Sequence, residues 1–141
     1  MSQITEQDRA RIQRGLRDLG GPVVLRYYTS DVDSWYSRSE RALLEEIAGA
    51  SPHVALEVHA DRWDPGREAT VGIRRTPALT VAGARDSRVC YYGVPDGYEL
   101  EVFLRLLHAV AGGPPSLGEA SAARLRALAR PVHLEVLASP T

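Results

Sequence analysis

Ser34 and Ser37 bracket Trp35 and Tyr36 in the stretch SDVDSWYSRSERALLEEIAGA, where a short apolar run hands over to a strong helical pattern. Hydroxyls at a helix entry are placed for nucleophilic work, provided that a base removes a proton. Asp31 and Asp33 are close in sequence, yet carboxylates at a helix entry ordinarily cap it and complement its dipole. No other base is evident beside the serines. Cys90 is the only thiol. It lies in SRVCYYG, inside an expected strand, where a lone cysteine reads as a small buried hydrophobe. A regulatory or intermolecular thiol is the rarer role.

The remaining chemistry-bearing residues form weaker patterns. His53 and His59 share a strand face but stand far apart, while His133 and Glu135 share a face of an expected last strand and are near enough to touch. No cysteine or third ligand accompanies them, so no structural metal is expected. Asp61, Asp64 and Glu68 sit in a long loop; a paired-carboxylate hydrolase is conceivable, and solvated loop charge is the ordinary account. Neither glycine-rich phosphate motifs nor a Gly-x-Ser-x-Gly elbow occurs.

Composition narrows the classes. A chain of 141 residues suits one domain with a little to spare, and at that size roughly 70% of the unfolded surface is buried on folding. Net charge is −1, without the concentrated basic face of a nucleic-acid binder. All 17 basic residues are arginine, which excludes Schiff-base chemistry and a phosphate-loop lysine. One cysteine forbids an intrachain disulfide. The polar start, MSQITEQDRARIQRG, lacks the apolar core of a signal peptide. No apolar run approaches the roughly 20 residues that span a bilayer. A soluble, cytoplasmic protein with no membrane and no nucleic-acid partner is the expectation.

The elements that must position these residues follow from patterning. Thr5 with Asp8 makes a capping box, Ile12, Leu16 and Leu19 share a helical face, and Gly20-Gly21-Pro22 ends the helix. VVLRYY, Val23 to Tyr28, reads as a buried strand. Leu43, Leu44, Ile47 and Ala48 stripe a second helix. HVALEVHA alternates as a second strand, and DRWDPGREATVGIRR is a loop with at most a short broken helix. PALTV and SRVCYYG form a hairpin through Gly83 and Asp86. Leu100, Phe103, Leu104, Leu107 and Val110 mark an amphipathic helix that GGPP stops. Leu117, Ser121, Leu125 and Leu128 line one more helix, and VHLEVL closes the chain as a strand. The order from Val23, β-α-β-(irregular α)-β-β-α, favours a parallel first pair with a right-handed crossover, then two antiparallel strands.

A repeat joins the two ends. LRDLGGPVVLRYYTS, Leu16 to Ser30, lies on LRALARPVHLEVLAS, Leu125 to Ser139, without a gap; Leu16, Arg17, Leu19, Pro22, Val23, Leu25 and Ser30 all recur. Two helix-to-strand joins could converge on this pattern by packing alone; a true repeat is the favoured reading. Residues 1–115 then form one complete module, and residues 116–141 open a second.

The β-α-β-β-α order, RRTPALTV and YYGVPDGYELEVFLRLL together resemble the thioredoxin/glutaredoxin superfamily. The similarity is to its tandem type, as in the N-terminal region of alkyl hydroperoxide reductase flavoprotein subunits and the glutaredoxin-like protein disulfide oxidoreductases, and it runs from about Ile12 to Thr141. The resemblance implies an α/β, thioredoxin-like fold: a four-stranded mixed sheet flanked by helices, with an extra C-terminal helix and strand. It implies a cis bond at Thr76-Pro77, facing the turn where active members carry Cys-x-x-Cys. That turn maps onto Ser34-Trp35-Tyr36-Ser37. The spacing is kept and both sulfurs are gone, so thiol–disulfide exchange, which needs a thiolate, cannot run from it. Natural degeneracy is the favoured account, replacement of both cysteines by serine the other.

No catalytic residue is expected, only the vacated positions Ser34 and Ser37. Trp35, Tyr36, Thr76 and Pro77 are expected to line a binding groove, Thr76 offering its backbone to an extended segment; Trp35 packing on Trp63 is the competing reading. No cofactor is implied. The expected role is a non-catalytic module of a disulfide-reducing system, a scaffold or docking domain whose partner is a second thioredoxin-like module or a redox protein. The alternatives are a disulfide oxidoreductase, with its Cys-x-x-Cys beyond residue 141 or replaced at Ser34 and Ser37, and a stand-alone protein that forms a homodimer through its last strand, since a bare strand edge seeks pairing.

Overall fold

A computed structural model of the protein describes residues 4–30, 34–60, 72–84, 86–93, 95–114 and 116–138. The loop containing Asp61, Trp63, Asp64 and Glu68 lies outside the described residues, as do Asp31 and Asp33. The described elements are α1 (Glu6–Leu16), β1 (Val23–Tyr28), α2 (Trp35–Gly49), β2 (Val54–His59), β3 (Ala78–Ala82), β4 (Asp86–Tyr91), α3 (Glu99–Val110) and α4 (Glu119–Arg126). Among them no helix is long and apolar enough to cross a membrane.

The sheet order is β2-β1-β3-β4. β1 runs parallel to β2, with Val23 opposite Val54 and Tyr28 opposite His59, and antiparallel to β3, with Leu25 opposite Val81 and Tyr27 opposite Leu79. β4 returns antiparallel to β3, and the register shifts between Thr80 and Ala82. The parallel pair and the hairpin follow the sequence pattern, and the four-stranded mixed sheet is the one the resemblance implies.

Alternation along β1 divides the interior. Val23, Leu25 and Tyr27 join Leu44, Ile47, Leu79, Phe103 and Leu107 in the main core. Tyr28 instead joins Ile73 and Ala78 in a smaller cluster. The stripe of α3 is buried throughout, at Leu100, Phe103, Leu104, Leu107 and Val110. α1 starts at the expected capping box, with the Thr5 hydroxyl accepting from the Asp8 amide at 3.1 Å. It lies against both α2 and α3. His108 donates from Nε2 to the Gly15 carbonyl at 2.5 Å; because a carbonyl only accepts, that nitrogen carries the proton.

The expected last strand is not formed. Residues 131–138 pair with no strand and are exposed throughout, and α4 buries none of its residues. The alternation of VHLEVL is real, but a strand exists only where a ladder partner accepts its backbone groups.

Gly83, just past β3, is pressed against the end of α3. A Cβ there would stand 2.6 Å from the Val110 carbonyl oxygen and 3.0 Å from the Pro22 carbonyl oxygen. Neither backbone is the flexible end of a side chain, so the clash must open the sheet–helix contact. Gly83→Ala is expected to lower unfolding free energy by about 1–3 kcal/mol, as overpacking does. Urea denaturation with an unchanged midpoint would contradict this packing.

Candidate functional site

The entry of α2 is built from hydroxyls. Ser34 is its N-cap, with extended backbone (φ −61°, ψ 145°), and its Oγ accepts from the Ser37 amide at 3.1 Å. An N-cap serine satisfies one of the amides that a helix start leaves without a carbonyl partner. Ser37 is buried, and its Oγ lies 3.0 Å from the Thr29 Oγ1, which is also buried. This bond ties the first turn of α2 to the exit of β1. The Thr29 amide donates to the His59 carbonyl at 2.9 Å, carrying the tie across to β2.

Beneath Ser37 sits a group the sequence reading missed. Glu40 is completely buried, and neither carboxylate oxygen has a hydrogen-bond partner among the described residues. Burial pushes its pKa up to about 7; the nearby Tyr27 hydroxyl, which stands short of hydrogen-bond geometry, pulls the other way. Burial also drives Tyr27 up to about 12, so it stays neutral. The signal was available: Ser37, Glu40, Leu44 and Ile47 follow the i, i+3, i+7, i+10 spacing of one buried helix face. A charge inside an apolar stripe is the anomaly to look for.

The Thr76–Pro77 peptide bond is cis. The Thr76 Oγ1 lies 3.1 Å from the Ser30 Oγ, linking this segment to the chain leaving β1. Upstream, the Arg74 amide donates to the Tyr92 hydroxyl at 2.8 Å, and the Arg75 guanidinium stands 4.7 Å from the Tyr92 ring centroid. These contacts hold the turn before β3 against the end of β4.

Trp35 and Tyr36 are exposed. They line a cleft of about 500 Å³ together with Asp8, Gly93, Gly97 and Leu100. A Cβ at Gly93 would stand 3.7 Å from the Tyr36 hydroxyl, so the connection between β4 and α3 closes on the α2 entry. Thr76 and Pro77 are not among the cleft's lining residues. Of the four expected groove residues, Trp35 and Tyr36 line this cleft, while Thr76 meets Ser30 on the chain leaving β1. The competing partner of Trp35, Trp63, lies outside the described residues.

Cys90 is half-buried, opposite Thr80 in the ladder, and burial raises its pKa, which suppresses the thiolate. His59 stacks on Tyr28 with centroids 4.7 Å apart. His133 and Glu135 meet at 3.0 Å. No group of three or more metal-ligating side chains occurs among the described residues.

No family model matches the chain, and no curated protein matches it. Solved structures do. The NTD_N/C domain of the alkylhydroperoxide reductase AhpF from Enterococcus faecalis superposes with a TM-score of 0.74 at 22% identity, covering 88% of this chain and 60% of that one. A protein disulfide oxidoreductase from Aeropyrum pernix superposes with a TM-score of 0.75 at 18% identity, covering 91% of this chain and 56% of that one. The likeness establishes a thioredoxin-like fold. The chain spans a little under two thirds of the length of either neighbour.

Glu40 makes stability pH-dependent in a definite direction. Its folded pKa of about 7 lies above the ordinary value of 4.5, so between these values the folded state holds a proton that the unfolded state has lost. Stability therefore falls as pH rises through this window and levels off above it, by on the order of 3 kcal/mol for a shift of this size. Glu40→Gln is expected to remove that slope, so the variant gains on the parent between pH 5 and pH 8 in urea titrations. A difference constant with pH would mean that the carboxylate is already partnered.

Proposed function

We propose that this chain, with its thioredoxin-like fold, is a non-catalytic module of a cellular disulfide-reducing system, in which the Ser34–Ser37 turn serves recognition and support. The observation that carries the reading is the fate of the two hydroxyls. Ser34 caps the helix and Ser37 is buried against Thr29. Both keep the spacing of a dithiol turn without any sulfur, and disulfide exchange requires a thiolate nucleophile. The redox setting is supported by the fold of the two neighbours, one a domain of alkylhydroperoxide reductase and the other a protein disulfide oxidoreductase. A single cysteine fits a reducing, cytoplasmic setting.

The scaffold side of the role rests on the repeat. Leu16, Leu19, Val23 and Leu25 are at most 5% exposed, whereas their counterparts Leu125, Leu128, Val132 and Leu134 are 53–83% exposed. The same apolar pattern is covered in one place and bare in the other. Residues 116–141 are accordingly read as the opening of a second thioredoxin-like module, which this module would support and orient. A redox protein docking at the Trp35–Tyr36 cleft, or a second copy of the chain, are the other partners the reading admits.

Two measurements test it. Insulin reduction by this chain in the presence of dithiothreitol is expected to stay at background; clear turnover would mean that the chain is itself an oxidoreductase. The double substitution Ser34→Cys with Ser37→Cys places thiols at the N-cap and the third helical position. It is expected to form an intrachain disulfide, read as the loss of two titratable thiols on oxidation. Two thiols that never pair would sink the assignment of this turn.

A further inference from the structure

Residues 131–138 meet the rest of the fold at Arg74, just before the cis-proline, and at the aromatic cleft. We infer that residues 131–138 form an intramolecular strap, which occupies in cis the surface where an extended partner segment would dock. The inference rests on the docking reading above and describes residues 131–138 while no second module's sheet takes them up. Two anchors, three residues apart, define the path. The first is Glu135, whose Oε1 lies 3.3 Å from the Arg74 Nη1, across 61 residues of sequence. The second is Ala138, which lines the cleft beside Trp35, Tyr36 and Gly93. Three extended residues cover roughly 10 Å, so the chain runs from the edge of the cis-proline segment to the aromatic wall.

Both ends are prepared for this. Arg74 is held by its own amide on the Tyr92 hydroxyl, so its guanidinium projects from a fixed point. Glu135 is oriented by a second partner, the His133 Nε2 at 3.0 Å. Where Ala138 arrives, the cleft has aromatic walls and the glycines Gly93 and Gly97, which leaves room for a small side chain. The partner that fits is therefore an extended segment with a carboxylate followed three residues later by a small residue. The strap itself is releasable. Its apolar side chains Leu134, Val136 and Leu137 stay exposed, and a solvent-exposed ion pair is a weak tether. A partner of the same chemistry could displace it.

A nitroxide at Leu137→Cys in a Cys90→Ala background tests the strap in the whole chain. The amide signals of Trp35, Tyr36, Gly93 and Gly97 are expected to broaden, equally at low and high protein concentration. Arg74→Glu should restore their intensity several-fold, and adding Glu135→Arg should broaden them again. An unlabelled peptide of residues 131–138 should also relieve the broadening. Absent broadening overturns the inference. Broadening that grows with concentration does too, because a second copy's segment would then be the occupant. A peptide without effect removes the docking surface. The disulfide test at Ser34 and Ser37 is independent of all these outcomes, so a failed strap and a failed functional reading are told apart.

Discussion

Helix α2 begins where two buried hydroxyls meet. The Thr29 Oγ1 and Ser37 Oγ, 3.0 Å apart, are each enclosed, and a buried hydroxyl without a partner costs about 1–3 kcal/mol. Each therefore holds the other in place, and the pair sets both the height and the rotation of the first turn of α2 over β1. With Ser37 turned inward, Ser34 falls at the cap and Trp35 and Tyr36 turn outward. The exposed aromatic face is thus a geometric consequence of a buried hydrogen bond.

The layer under that turn is polar where the rest of the core is not. Tyr27 and Thr29, from β1 and its exit, and Ser37 and Glu40, from α2, are all buried. The hydroxyl pair is satisfied, while the Glu40 carboxyl is not. In a low-dielectric setting the neutral acid is the tolerated form, so Glu40 holds its proton well above the pH at which an ordinary glutamate gives it up. The polar layer therefore binds the α2 entry to the sheet at one end and strains against deprotonation at the other.

How much of this was legible from sequence depended on whether a signal is local. The capping box of Thr5 and Asp8, the stripe of α3 and the alternation of β1 are local, and each was read correctly. Glu40 escaped because charged residues on helices are assumed to face water, and only its phase relative to Ile47 reveals otherwise. The glycine wall of the aromatic cleft escaped for a different reason. Trp35 and Tyr36 meet Gly93 and Gly97 through tertiary placement, and no sequence spacing encodes the closure of the β4–α3 connection onto α2.

Residues 16–30 and 125–139 make the same point with one pattern in two settings. Val23 and Leu25 are strand residues because β2 and β3 lie on either side and the helices close over them. Val132 and Leu134, in the same pattern, are exposed and unpaired. Side-chain alternation specifies which face a strand would bury, and the neighbours decide whether there is a strand. Residues 131–138 are therefore a segment without a ladder partner among the described residues, and its apolar side chains are exposed. Such a segment has two outlets: a sheet that completes it, or a groove that holds it by a few polar anchors. The Glu135–Arg74 contact and the seat of Ala138 beside Trp35 are the second outlet. Because those anchors are few and wet, the segment can leave them for a better partner without disturbing the core that positions the cleft.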